Sequence, residues 1–491
     1  KLPADSQPNA LGLHTHEGKH ILALDNQHYE VQRQDPITQR YRIKHPQRPN
    51  AYSPELEHNG LGAWTHEAEN PRTWDSPTLM RRLGHGVDGF SDTELEQTRI
   101  ISGTEDGELR RMYVDNTPPP PLLADSLKRL QLQKQTRQAI ENIRTGDALE
   151  PTAYWFEPLA TYLEGWPTEK ALKVYENADL TGHSRHYGNA EATPAQTLSV
   201  SLSHITSGEL PQSLVDFLSN EELRDLIGSH PAKQEQIKAL RNRLADLANS
   251  LEPDIFNQLY RAAQSYDTPS VQLLCTTFPD LPANVAQTLL TRASATEFER
   301  MTDHQQIPLR LKSLAREAAF EARTNHAYEG FQDDVQMVAD TERLVLNTLR
   351  VFTDSFGDLR IEVHDGTYDG DLRCSVGPED ASTLRKLIRE QPGKYAVYDA
   401  SNTPLHAADD FYQAVLNALP ADQRARLGYR PGQGAQFKQW VMVKTEAPAE
   451  RRTVLAEPPI RATQDLQTER LLRGPSLSTV AQTPEERVRE I

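Results

Sequence analysis

The feature that most constrains the fold is a repeat. The segment GWPTEKALKVYENADLTGHSRHYG, residues 165–188, is echoed by DSFGDLRIEVHDGTYDGDLRCSVG, residues 354–377. In each, a short apolar run (172–175; 359–363) leads through a polar turn to a second short run closing on glycine, Gly188 or Gly377. A further strand is expected in each, at 198–202 and 395–399. A helix then follows and stops at a glycine, SNEELRDLIG at Gly228 and PADQRARLG at Gly428. The matched features lie about 190–200 residues apart. Self-similarity at a fixed offset marks a duplicated supersecondary unit, here β-β-β-α. Such a scaffold suggests a rigid body more than a single active cleft.

Between the copies, residues 214–352 read as helical. Ile237, Leu240, Leu244, Leu247 and Leu251 form an apolar seam at three- and four-residue spacing, with Pro253 expected to end it. PANVAQTLLTRASATEFERM, LRLKSLAREAAFEARTNHAYEGF and DDVQMVADTERLVLNTLRVF continue as amphipathic helices, most simply packed as an antiparallel array. Ahead of the first copy, residues 21–24, 29–32 and 41–44 read as strands of a small β-meander. The stretch LEHNGLGAWTHEAENPRTWDSPTLMRRLG that follows reads as a loop anchored by Trp64 and Trp74. NTPPPP is a stiff entry to a helix over residues 122–144. From Phe437 the chain turns polar and is expected to be an extended or disordered tail.

The expected class is therefore α+β: a small N-terminal β-meander, a central helical array, and two copies of a β-β-β-α unit flanking the helices. The expected divisions are a β-rich module over 1–115, a helical linker over 116–150 and the first unit over 151–230. The helical array follows at 231–352, the second unit at 353–436 and the tail at 437–491.

Charge narrows the partners. With 53 Lys+Arg against 70 Asp+Glu, the net charge of −17 repels phosphate backbones, so nucleic acid is not an expected partner. The basic pairs Arg81-Arg82, Arg110-Arg111 and Arg451-Arg452 are short and separated. No apolar run approaches the roughly 20 residues that span a bilayer, and no signal-peptide pattern opens the chain. Lys1 is no initiator, so the chain reads as a piece of something longer. Two cysteines, Cys275 and Cys374, make neither a disulfide framework nor a zinc pattern, which fits synthesis in a reducing cytoplasm.

The candidate constellations are weak. HTHEGKH gathers His14, His16 and His20, but no cysteine or well-spaced carboxylate accompanies them. His58 and His66 would need Glu57, Glu67 or Glu69 to converge on a metal. Asn70 stands where an HExxH pattern requires histidine, so packing is the expected role. HDGTYDGD fails the spacing of a calcium loop and reads as a turn. His183 and His186 of the first copy have no counterparts in the second. RPGQGAQ lacks both a preceding strand and the lysine of a phosphate loop. Neither cysteine has a histidine or an acid beside it in sequence, and no serine sits in a GxSxG elbow. The sequence nominates no catalytic, cofactor-binding or metal-ligating residue.

Four stretches taken in order carry a family resemblance: PNAYSPELEHNGLGAWTHEAENPRTWD, VDNTPPPPLLADSLKRL, LRIEVHDGTYDGDLRCSVGPEDASTLRKLI and YAVYDASNTPLHAADDFYQAVLNALPADQRARLG. Together they resemble the dermonecrotic-toxin-domain region of large proteins of Gram-negative bacteria. Many of those carry leucine-rich repeats and a C-terminal novel E3 ligase domain. The resemblance runs from about residue 20 to 437, and TPEERVREI looks like the start of the unit preceding the repeats. It implies a parent secreted into a host cell that transfers ubiquitin through a cysteine thioester. That family's cysteine lies in a Cys-x-Asp context. Cys275 is followed by Thr276-Thr277 and Cys374 by Ser375-Val376, so neither matches, and no LxxLxLxxN repeat is present.

The leading expectation is thus a non-catalytic scaffold, delivery or regulatory module that engages a host protein or the parent's own C-terminal domains. Two alternatives stand beside it. One is a membrane-interacting translocation module triggered by acid, motivated by the amphipathic helices and 16 histidines. The other is an enzyme whose residues converge only in the fold, with His58, His66 and Glu67 as candidates.

Overall fold

The computed structural model describes residues 1–455 apart from 38, 39, 152 and 355. The fold is α+β. The chain divides into two compact units, Lys1–Lys128 with Gln264–Ile491, and Arg129–Ala263. Most of the expected tail lies outside the described residues.

The N-terminal sheet has six antiparallel strands in chain order: β1 (Leu13–His16), β2 (Lys19–Leu24), β3 (Gln27–Arg33), β4 (Tyr41–Lys44), β5 (Glu55–His58) and β6 (Trp64–His66). Two-residue turns set its register. Glu17-Gly18 and Asp25-Asn26 take positive φ, the conformation whose twist matches paired strands. Alternation then gathers Leu13, Leu22, Val31, Tyr41, Leu56 and Trp64 into one buried cluster. The stretch after Leu56 is therefore not the single loop expected. It forms the β5–β6 hairpin and the helix α1 (Ser76–Arg81), begun by Asp75 accepting from the Thr78 N–H. Strands of four and three residues are too short to show alternation, which is why they were not legible. Helices α2 (Asp92–Ser102) and α3 (Asp106–Asp115) complete a segment read as only β-rich. A capping box between Ser91 and Glu94 starts α2, and left-handed Gly103 ends it.

Helix α4 (Pro121–Thr145) starts at the proline run, and the division between units falls within it. The unit Arg129–Ala263 contains β7 (Ala171–Tyr175), β8 (Ser184–Gly188) and β9 (Thr197–Ser201). After them come α5 (Leu202–Thr206), α6 (Leu210–Phe217), α7 (Asn220–Ile227), α8 (Lys233–Ser250) and α9 (Glu252–Ala263). The sheet order is β8-β7-β9, with β7 antiparallel to β8 and parallel to β9. Leu172, Val174 and Val200 share a core with Leu210, Leu214, Ile237, Leu240 and Leu244. Pro253 stands in the first turn of α9, where its missing N–H costs nothing, so it opens a helix after the seam.

The other unit resumes with α10 (Pro269–Thr277), α11 (Ala283–Leu290), α12 (Ala295–His304), α13 (Leu309–Gln332) and α14 (Ala339–Phe352). The helices of the expected central array are shared among three cores. Its α8 belongs to the core of the first copy, α10–α12 share a cluster with the start of α13, and α14 lies in the core of the second copy.

The second copy begins with β10 (Leu359–Asp365), β11 (Leu372–Val376) and β12 (Thr383–Gln391). Its order β11-β10-β12, antiparallel then parallel, repeats that of β8-β7-β9. The third strand is therefore β12, not residues 395–399 as expected. Those residues belong to β13 (Lys394–Asp399), which with β14 (Pro404–Asp409) extends the second copy's sheet to five strands. Helices α15 (Phe411–Ala418) and α16 (Ala421–Leu427) match α6 and α7 in length to within a residue, and both pairs close on a left-handed-side glycine, Gly228 or Gly428. Two more helices follow, α17 (Gly434–Lys444) and α18 (Pro448–Leu455). They replace the first part of the expected tail, because Phe437, Val441, Val454 and Leu455 are buried in the second copy's core.

Candidate functional site

His58, His66, Trp64, Trp74 and His14, which drew attention in sequence, each make packing or hydrogen-bond contacts with neighbouring side chains or backbone. The His58 ring lies 4.4 Å from that of Trp64 and 5.7 Å from that of Tyr41. Its Nδ1 accepts the Gly60 N–H at 2.9 Å, closing the hairpin. His66 faces Glu69 at 3.6 Å, and Glu67 takes the Tyr52 hydroxyl. This ends the convergence of His58, His66 and Glu67 considered above. Trp64 donates to the Leu11 carbonyl at 2.6 Å. Trp74 lies under Arg82, whose guanidinium bonds Glu69, Asp25 and the Trp64 carbonyl. His14 takes the Ser6 hydroxyl, and burial followed by His28 and His85 lowers its pKa. Among the described residues, no three His, Cys, Asp or Glu side chains come together as a metal site.

HDGTYDGD is a turn between β10 and β11, closed by the Asp365 N–H on the Asp371 carbonyl. RPGQGAQ leads into α17, whose first N–H, at Gly434, is taken by Gln413. Burial disfavours the thiolate of both cysteines. Burial pushes the half-buried Cys275 thiol up to about 11. The Cys374 thiol is fully enclosed, and burial followed by nearby Glu342 drives it higher still. The thiolate is the reactive species, so neither sulfur is prepared for transfer chemistry at neutral pH.

What sequence reasoning missed is a tie to a buried glutamate, repeated in both copies. In the first, Arg185 donates to Glu157 through Nε and Nη2 at 2.8 and 2.6 Å, and the Tyr187 hydroxyl donates to the same carboxylate at 2.7 Å. In the second, Arg373 Nε lies 2.8 and 3.2 Å from the two oxygens of Glu342, and Tyr395 donates at 2.5 Å. Each arginine is the second residue of its strand, β8 or β11, and both glutamate side chains are 0 % exposed. Burial, partly offset by Arg373 and Tyr395, lifts the Glu342 carboxyl above its usual range. Burial and Glu157 push Tyr187 up to about 12. The paired arginines were visible in the echo. The glutamates were not, lying 28 and 31 residues upstream outside it.

A second arrangement lies on the surface of the first copy. Ser213 Oγ is 2.6 Å from His204 Nε2, and His204 Nδ1 is 3.0 Å from Glu209 Oε2. His204 lies in α5 and Ser213 in α6, joined by a turn at Gly208, whose φ of 86° suits glycine. The neutral tautomer that satisfies both contacts carries its proton on Nδ1, leaving Nε2 to accept from the serine. That is the order nucleophile, base, orienting carboxylate. No elbow motif announces it, because the three residues meet through a helix-turn-helix.

These side chains thus form packing contacts, two arginine ties to enclosed glutamates and one surface relay. Comparison with protein-family models, with curated proteins and with solved structures gives no match to this chain.

Proposed function

We propose that the chain is a non-catalytic scaffold, delivery or regulatory module of a secreted bacterial toxin or effector. Its parent would resemble an E3 ubiquitin ligase acting on host proteins, and its partner would be a host protein or the parent's own C-terminal domains. The observation that supports this reading is the repeated tie. A fully enclosed glutamate in each copy, Glu157 with Arg185 and Glu342 with Arg373, is spent on holding a strand to a neighbouring segment. The test adds the purified chain in trans to the parent's downstream domains. The expected result is a change in their activity while the chain alone turns nothing over. No effect in trans, or turnover by the chain alone, contradicts the reading.

The relay of Ser213, His204 and Glu209 favours a second reading, a serine enzyme of acyl-transfer type. It is decided by labelling native chain with a fluorophosphonate. Labelling lost in both Ser213→Ala and His204→Ala supports the enzyme, and unlabelled wild type removes it.

A further inference from the structure

The two copies differ at one edge. In the second, the far side of β12 is covered by β13, antiparallel, with Leu387 opposite Val397. In the first, the matching strand β9 has β7 as its only strand neighbour among the described residues. An open edge offers unpaired amide and carbonyl groups to any strand that can lie beside it, and proteins usually protect such edges with charge, proline or a bulge. Three other edges carry those devices. β8 has Arg185, β11 has Arg373 opposite a register shift in β10, and β14 has Pro404, Asp409 and an irregular register. β9 reads Thr-Leu-Ser-Val-Ser and pairs with β7 in unbroken register from Ala171↔Thr197 to Tyr175↔Ser201.

This edge is also complementary to itself. Antiparallel pairing about Ser199 sets Leu198 against Val200 of the second copy and Thr197 against Ser201. Leu198 and Val200 then meet on the core side and Thr197 and Ser199 lie on the other, Ser201 being buried with its hydroxyl capping α5, and no like charges are opposed. Ser199, at the centre, is exposed, while Val200 is buried and Leu198 packs against the core.

We propose that β9 is the pairing edge of a homodimer, in which a second copy of this chain supplies the strand that β13 supplies to β12. The result is a continuous sheet of order β8-β7-β9-β9′-β7′-β8′. Five residues a side make a small interface, so the dimer belongs to the weak, concentration-dependent class below about 1,200 Å². The net charge of −17 does not forbid it, since charges beyond a Debye length of roughly 8 Å are screened at physiological salt. The inference does not depend on the scaffold reading, and either can fail alone.

The test is sedimentation velocity of the full chain over a wide concentration range in physiological salt. A reversible monomer–dimer shift is expected. Ser199→Lys and Ser199→Glu each place like charges opposite one another across the two-fold axis, and each should abolish the dimer. An equimolar mixture of the two should restore a heterodimer. Wild type that stays monomeric overturns the proposal, as does a dimer unchanged by Ser199→Lys, or variants whose mixture stays monomeric. Should either variant misfold, hydrogen exchange of wild type decides: amides of Thr197–Ser201 must gain protection as concentration rises.

Discussion

Arg451 is a buried cation that has no carboxylate partner among the described residues. Its guanidinium donates to the carbonyls of Thr445, Glu446, Ile100 and Ile101 at 2.7–2.8 Å and to Asn325 at 3.2 Å, and it lies 3.8 Å over the Tyr328 ring. Burial lowers its pKa to about 10. In sequence it was half of a basic pair in a supposed tail, because backbone carbonyls leave no trace in side-chain chemistry. Arg451→Met strands several buried acceptors and should cost about 3 kcal/mol or more in urea unfolding. Arg451→Lys should recover little, since an ammonium cannot reproduce the planar fork. The repeated tie makes a second prediction. Arg373→Met leaves Glu342 buried without its cation and should cost about 3–5 kcal/mol, whereas adding Glu342→Gln should return much of that loss. A third concerns acid. Burial alone would raise the Glu69 pKa, but hydrogen bonds from Arg82 and the His66 N–H hold it below the usual 4.5. A depressed carboxylate stabilises the fold above the unfolded value and loses that contribution as pH falls through the folded one. Stability should therefore hold from pH 7 to about 5 in this respect and fall below 4.5, with a shallower fall in Glu69→Gln.

At the scale of elements, the duplicated pattern was legible because its strands and closing glycines are local signals. Gly188 and Gly377 both take left-handed φ, 88° and 106°, at the end of the second strand. In each case a Cβ would strike a carbonyl of the central strand region, Lys170 or Leu359. Gly188→Ala and Gly377→Ala should each cost about 1–3 kcal/mol by thermal or urea unfolding, and unequal effects, with one near zero, would break the equivalence. The strand β12 was not legible. Leu384, Leu387 and Ile388 recur at helical spacing among charged residues, and only pairing with β10 and β13 makes the segment a strand. The helix α17 was hidden for a different reason: it is short, and the polar stretch after it masked Phe437 and Val441, which lie one turn apart and are buried with Trp440 and Met442 packed beside them.

Over the whole molecule, the sequence yielded class and duplication but not the site. Ties between Glu157 and Arg185, or between Glu342 and Arg373, join segments about thirty residues apart, a distance at which no spacing rule operates. No described helix is long and apolar enough to cross a membrane. The central claim is that the conspicuous side chains of this chain serve its architecture and that burial holds both cysteines in the thiol form. The most direct measurement incubates the isolated chain with ubiquitin-activating enzyme, conjugating enzyme, ubiquitin and ATP, and resolves the products with and without reductant. The account predicts no reductant-sensitive ubiquitin adduct on this chain. A thioester that disappears in Cys275→Ala or Cys374→Ala would contradict it.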